Sequence, residues 1–243
     1  MARHFVIMSS SYSLGKRIAI DYSSENKLDF DVINKQIDEI IKQCGKDVSM
    51  STHFVQTETT EWKSLIKADS FFEDVLVVNP TEFIELINQD RELKGTDVAK
   101  YILSLVDCTH LKLEKLVYLC YAEYLVNTGK QLFQDKIFAF QYGPVVETVY
   151  HRYKSQGKEK LEENIKTDHI DEMPARSRVL FAKEGTEKLK YIDKIIQKYG
   201  NLPASELVNL THQEKTPWKM SYKEEKFTEI NDNCILEYHK NEK

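Results

Sequence analysis

The chain predicts an α+β fold: a small α/β domain over residues 1–93, then a mainly helical domain over residues 94–243 with short β segments. Three observations carry that prediction. Short apolar runs with loose period-2 alternation crowd the first third of the chain, as strands do. Beyond residue 97 the apolar positions recur at helical spacing. Between the two textures stands Lys94-Gly95-Thr96-Asp97, a polar, Gly-containing stretch that suits a boundary.

In the first region, residues 4–8 (HFVIM) and 16–22 (KRIAIDY) read as strands, joined by a turn at SSSYSLG. From Asp29 the period changes. Phe30, Ile33, Ile37, Ile40 and Ile41 fall on one helical face, and Gly45 closes the helix. Residues 48–57 alternate as a strand, 61–68 suit a short helix, and 75–78 (VLVV) suit a short buried strand. Asn79-Pro80 then starts a helix, with Asn as N-cap and Pro at the first helical position.

In the second region, residues 97–106 place Val98, Tyr101, Ile102 and Leu105 on one face. Thr109 caps a long helix over 111–128, apolar over a wide stripe and closed by Gly129. Its width marks it as the core of this domain, with Glu114, Lys115 and Glu123 on a solvated face. Residues 131–141 read as extended segments. Gly143-Pro144 turns the chain from strand to helix, with Pro144 in the first turn of a helix reaching residue 155. Residues 156–175 are polar and read as an exposed connection. Helices follow over 181–199 and 203–211, with a last amphipathic segment over 230–238.

Composition narrows the function classes. The chain has 243 residues, 41% hydrophobic and 30% charged, which fits one large or two modest domains. With 8 Gly and 5 Pro it is neither collagen-like nor linker-dominated. A net charge of −5 lacks the basic footprint of a dedicated nucleic-acid binder, so nucleic acid is not the expected main ligand. The four cysteines form no CxxC pair and no zinc-finger spacing. They read as reduced thiols of a cytoplasmic protein rather than metal ligands. The apolar run near the N-terminus is too short for a signal peptide or a membrane span.

Catalytic constellations are sparse. Ser-Leu-Gly-Lys-Arg at 13–17 imitates a phosphate loop but lacks the GxxxxGK[ST] pattern. The seven histidines form no HExxH, and there is no GxSxG. Cys108 and His110, two residues apart, would not face each other on a helix. One candidate acid–base pair remains, His212 with Glu214. Its competitor is structural: Thr211-His212 closes a helix, Pro217 turns the chain and Trp218 fills the core. No cofactor and no metal are expected.

Three segments stand in order along the second region: Lys112-Leu113-Glu114-Lys115-Leu116-Val117-Tyr118, then Phe140-Gln141-Tyr142-Gly143-Pro144-Val145-Val146, then Leu210-Thr211-His212-Gln213-Glu214 with Pro217-Trp218. Together they resemble the Panacea domain, the SocA-like or GepA-like domain of phage-associated proteins and antitoxins, over about residues 94–240. Phe140 stands where that family commonly has Trp, which keeps a large aromatic. The resemblance implies a non-enzymatic protein. Such a protein neutralises a toxin by direct binding, or acts as an adaptor that presents it to a protease, and is encoded by a phage or mobile element. A phage-encoded inhibitor of a host defence system, also acting by protein contact, is the alternative; an enzyme with a site around His212 and Glu214 is a further one. The resemblance gives Lys115, Leu116, Tyr118, Gly143, Pro144, Val145, Thr211, His212, Pro217 and Trp218 structural roles. Residues 1–93 lie outside it and are expected to recognise the partner. Interface energy concentrates in Tyr, Trp and Arg. Tyr142, Tyr150, Arg152 and Tyr153 are therefore the candidate anchors, against a competing expectation that at least half of them are core.

Overall fold

A computed structural model describes residues 1–157, 159–161, 174–224 and 227–242. The connection expected over 156–175 lies for the most part outside them. The chain divides into two compact units, the first comprising Met1–Glu92 and the second beginning at Leu93. The fold is α+β.

The first unit is built on two long strands, β1 (Ala2–Ser11) and β2 (Lys16–Ser24), paired antiparallel across a turn closed by Gly15 at φ 61°. Helix α1 (Phe30–Cys44) follows, capped by the Asp29 carboxylate on the amides of Asp31 and Val32. Next come β3 (Ser51–Thr57), α2 (Trp62–Ala68), β4 (Val75–Val77) and α3 (Pro80–Arg91). The sheet order is β3-β1-β2-β4, with β4 parallel to β2. Alternation sends Ile7, Ile18 and Ile20 to one face, against Ile40 of α1 and Phe83 and Ile87 of α3. Val6, Met8 and Ala19 go to the other, against Leu65 of α2 and Phe72. Strand β4 is not a buried strand: Leu76 and Val77 are 41% and 42% exposed, because β4 is a short edge.

Polar groups enter this core near one end of the sheet. His4 is fully buried; its Nδ1 lies 2.9 Å from an Asp21 carboxylate oxygen, and its Nε2 lies 3.1 Å from Thr57 Oγ1 and 3.0 Å from the Thr59 carbonyl. Burial raises the Asp21 pKa, and His4 partly offsets that rise.

The second unit wraps around one helix. Helix α4 (Gly95–Leu103) begins where the Asp97 carboxylate accepts from the Lys94 amide at 3.0 Å. It stops short of Leu105, which is 57% exposed rather than inward-facing. Helix α5 (His110–Thr128) starts at the Thr109 cap and ends at Gly129 in the left-handed conformation. Every side chain from Leu113 to Leu125 is buried, so α5 has no solvated face at its centre. Glu114, Lys115 and Glu123 are inside, at 2%, 0% and 6% exposure. The solvated reading of those charges fails because helices and a hairpin cover α5 on all sides.

Strands β5 (Ile137–Phe140) and β6 (Gly143–Val146) form the hairpin, in a three-stranded sheet of order β6-β5-β7. Gly143-Pro144 therefore opens a strand, not a helix, and α6 (Glu147–Tyr153) begins only after it. Pro144 is tolerated because β6 is an edge strand. The helix expected over 181–199 starts later, as α8 (Gly185–Tyr199); a separate helix, α7 (Ala175–Phe181), precedes it, and Glu184 between them has a φ of 59°. Helix α9 (Ala204–Thr211), α10 (Pro217–Ser221), β7 (Thr228–Glu229) and α11 (Asp232–Tyr238) complete the unit. At its far end, Glu242 is buried against α5, where the Tyr118 hydroxyl donates to it at 2.9 Å and His239 Nδ1 lies 2.6 Å away.

Candidate functional site

The three ordered segments converge on the β5–β6 turn. Lys115 of α5 is fully buried, and its ammonium donates to the Pro144 carbonyl at 2.7 Å. Beside it, one Glu114 carboxylate oxygen accepts from the Val146 amide at 3.0 Å, and the other lies 3.1 Å from His110 Nε2. Two adjacent charged residues of one helix thus bond two backbone groups of β6. Gly143 makes this approach possible. Its φ is 108°, and a Cβ there would lie 2.6 Å from Lys115 Cε and 3.1 Å from Thr211 Oγ1.

The third segment closes the turn from the other side. Thr211 is fully buried. The Trp218 indole donates to the Phe140 carbonyl at 2.7 Å, and its ring stacks on Tyr222 at 4.7 Å. Thr216 starts α10 by capping the Lys219 amide, with Pro217 next, and its hydroxyl donates to the Thr211 carbonyl at 2.7 Å. His212 lies against the Trp218 ring, centroids 3.6 Å apart. Its Nδ1 donates to the Val208 carbonyl at 2.7 Å. Leu116, Tyr118, Val145, Pro217 and Trp218 are all buried.

Burial pushes the Lys115 pKa down to about 8, against a partial lift from Glu114. It also lowers the His212 pKa, against the pull of the Val208 and Gln141 carbonyls. His212 and Glu214 do not form the acid–base pair that their spacing allowed. The imidazole serves a carbonyl and an indole, while Glu214 is exposed and pairs with Lys219 at 3.6 Å.

Above this buried frame the turn is open. Tyr142 is 62% exposed. From Phe140, at the end of β5, runs a row of rings: Phe227 on Phe140 at 4.8 Å, Phe140 on Tyr150 at 5.1 Å, and Tyr150 on His110 at 5.4 Å. Phe227 is 78% exposed, and Tyr150 is half-buried. Arg152 is also half-buried. Tyr153 is 1% exposed and lies in the core, which removes it from any surface. Phe227 and Glu114 escaped the sequence reading. Phe227 sits in a polar stretch without periodicity, and Glu114 sits next to a lysine that made it look solvated.

With that geometry in view, comparison with known proteins becomes specific. The family model "Antitoxin SocA-like, Panacea domain" matches residues 113–219. Residues 113–219 are thus similar to SocA-like Panacea domains over somewhat less than half of the chain. The match begins in α5, spans the turn and ends at α10, so it encloses the buried frame. The antitoxin SocA of Caulobacter vibrioides (strain NA1000 / CB15N) is similar at 29% identity over 119 residues, covering 46% of this chain and 59% of that protein. No solved structure matches the chain. Among the described residues, no helix is long and apolar enough to cross a membrane.

Proposed function

We propose that this chain is an antitoxin-type protein that acts by binding another protein and performs no chemistry of its own. The observation that carries the reading is the division of labour at the β5–β6 turn. The recurrent residues of the Panacea domain, from Lys115 to Trp218, are turned inward and hold backbone in place. What they hold outward is Tyr142, with the Phe227–Phe140–Tyr150 row. Exposed aromatics over a rigid frame suit a contact surface, because large rings with few rotors lose little entropy on docking.

The favoured partner is a protein toxin, met in the cytoplasm. The protein either blocks it directly or presents it to a protease, and the first unit adds a further recognition surface. Co-expression with the product of the neighbouring gene tests the reading. The expected result is rescue of growth and a complex on co-purification, both weakened by Tyr142→Ala with Phe227→Ala. No rescue of any toxic neighbour and no complex would sink it. The partner's half-life separates the two modes: it falls under delivery to a protease and holds under direct blocking.

A further inference from the structure

The two edges of the first sheet are treated differently. An edge strand presents a row of unpaired amides and carbonyls, and folded proteins blunt it by shortness, charge, proline or cover. Strand β4 is blunted: it has three residues, and Glu73 and Asp74 precede it. Among the described residues, strand β3 has none of these protections. It runs for seven residues, STHFVQT, without an Asp, Glu, Lys, Arg or Pro. It stands at the end of the strand order, and Ser51, Thr52, Phe54 and Gln56 are exposed.

A second observation falls at the same place. Phe54 is 54% exposed and sits directly opposite Phe5 of β1. Phe5 in turn makes an edge-to-face contact with Phe30 at 6.2 Å, and Phe30 is 46% exposed. An apolar ring cluster therefore borders the unblunted edge. Exposed apolar patches of this kind mark interaction sites.

We propose that β3 pairs antiparallel with β3 of a second copy of this chain, joining two four-stranded sheets into one. The strand is self-complementary about its middle residue. A twofold axis at Phe54 sets Phe54 opposite Phe54, His53 opposite Val55, Thr52 opposite Gln56 and Ser51 opposite Thr57. Each pair lies on one face, because partners differ by an even number of residues. No like charges meet, which is the condition an uncharged strand satisfies with itself. The axis also brings the two Phe5–Phe30–Phe54 clusters side by side on the same face, where facing aromatics add to the pairing. The inference concerns a unit outside the Panacea match, so it stands apart from the antitoxin reading.

Sedimentation velocity of the full chain over a wide concentration range tests it. The wild type is expected to dimerise. Thr52→Lys with Gln56→Lys sets lysine against lysine twice across the axis, and is expected to weaken the dimer roughly tenfold or more. Thr52→Lys with Gln56→Glu sets lysine against glutamate twice, and is expected to keep it. Both sites are exposed, so at dilution, where both variants are monomeric, equal melting temperatures are expected. Phe54→Glu, which sets two carboxylates face to face at the axis, gives the same loss by an independent route. A wild type that stays monomeric throughout overturns the proposal. So does a lysine–lysine variant that dimerises as tightly as the lysine–glutamate one. A strand of an unrelated protein as the natural occupant would show as that monomeric wild type.

Discussion

The two units bury polar groups in different ways. In the first, the sheet buries one histidine, His4, near one end, met by Asp21, Thr57 and the Thr59 carbonyl, while Asp90 and Arg91 at the end of α3 bond the Tyr12 and Ser13 amides and the Cys44 carbonyl. The apolar centre of the two long strands is Val6, Ile7 and Met8 with Ile18, Ala19 and Ile20. In the second, charge sits near the middle of the core helix: Glu114 and Lys115 on β6, and Glu123 with Lys194 at 2.6 Å. The sheet uses its polar residues as an end stop; the helix uses them as joinery. A buried charge is costly unless it is bonded. The second unit is therefore more specific about its partners than its apolar composition suggests, and more brittle.

Gly143→Val attacks the joinery most directly. The φ of 108° strains any side chain, and the new Cβ would sit 2.6 Å from Lys115 Cε. We expect a loss of about 2–5 kcal/mol from strain and overpacking together. Thermal unfolding measures it, and an unchanged Tm refutes it. Hydrogen exchange should show protection lost along α5 and kept along β1 if the two units differ as described.

Next is the proton on Lys115. Its folded pKa of about 8 lies below the ordinary 10.5. Below about 8 the amine is charged in both states, and above 10.5 it is neutral in both. In between, the unfolded chain holds the extra proton, so the contribution of Lys115 to stability rises with pH. Over that window wild type should gain roughly 2–3 kcal/mol relative to Lys115→Met. Urea unfolding at the two ends of the window reads the difference, and a flat or falling one contradicts it.

His4→Ala probes the end stop. It leaves the Asp21 carboxylate without its imidazole and costs about 1–3 kcal/mol in chemical unfolding. A loss exceeding that of Gly143→Val would reverse the comparison. Gly157→Ala serves as a control for strain without contact. Its φ is 60° with nothing within 4 Å of the added carbon, so about 1 kcal/mol is expected. Smallest is Tyr142→Ala, which should leave Tm within the equivalent of about 0.5 kcal/mol while weakening partner binding. A large Tm drop would mean that Tyr142 is structural.

Helix starts and stops were legible because their chemistry is local. Asn79 and Thr109 cap as the sequence predicts, and Gly45 and Gly129 stand at the ends of α1 and α5. The separation of α7 from α8 at Glu184 was not read from the sequence, which started one helix at Phe181. Its signal was Gly185, where a Cβ would lie 2.3 Å from the Leu180 carbonyl oxygen. The strand at Gly143–Val146 looked like a helix start because Pro at N1 and Pro on an edge strand read alike. At the candidate site, the residues of the frame were visible as motifs, but their direction was not. Whether Lys115 points to water or to the Pro144 carbonyl depends on a hairpin 29 residues away.

One contact sets a clock. Tyr118 in the core helix reaches Glu242, 124 residues further along the chain. During synthesis that hydroxyl must wait for its carboxylate, and at ordinary elongation rates the wait is roughly 6–25 s. Until then α5 lacks its last cover, and the nascent second unit is open to chaperones and proteases.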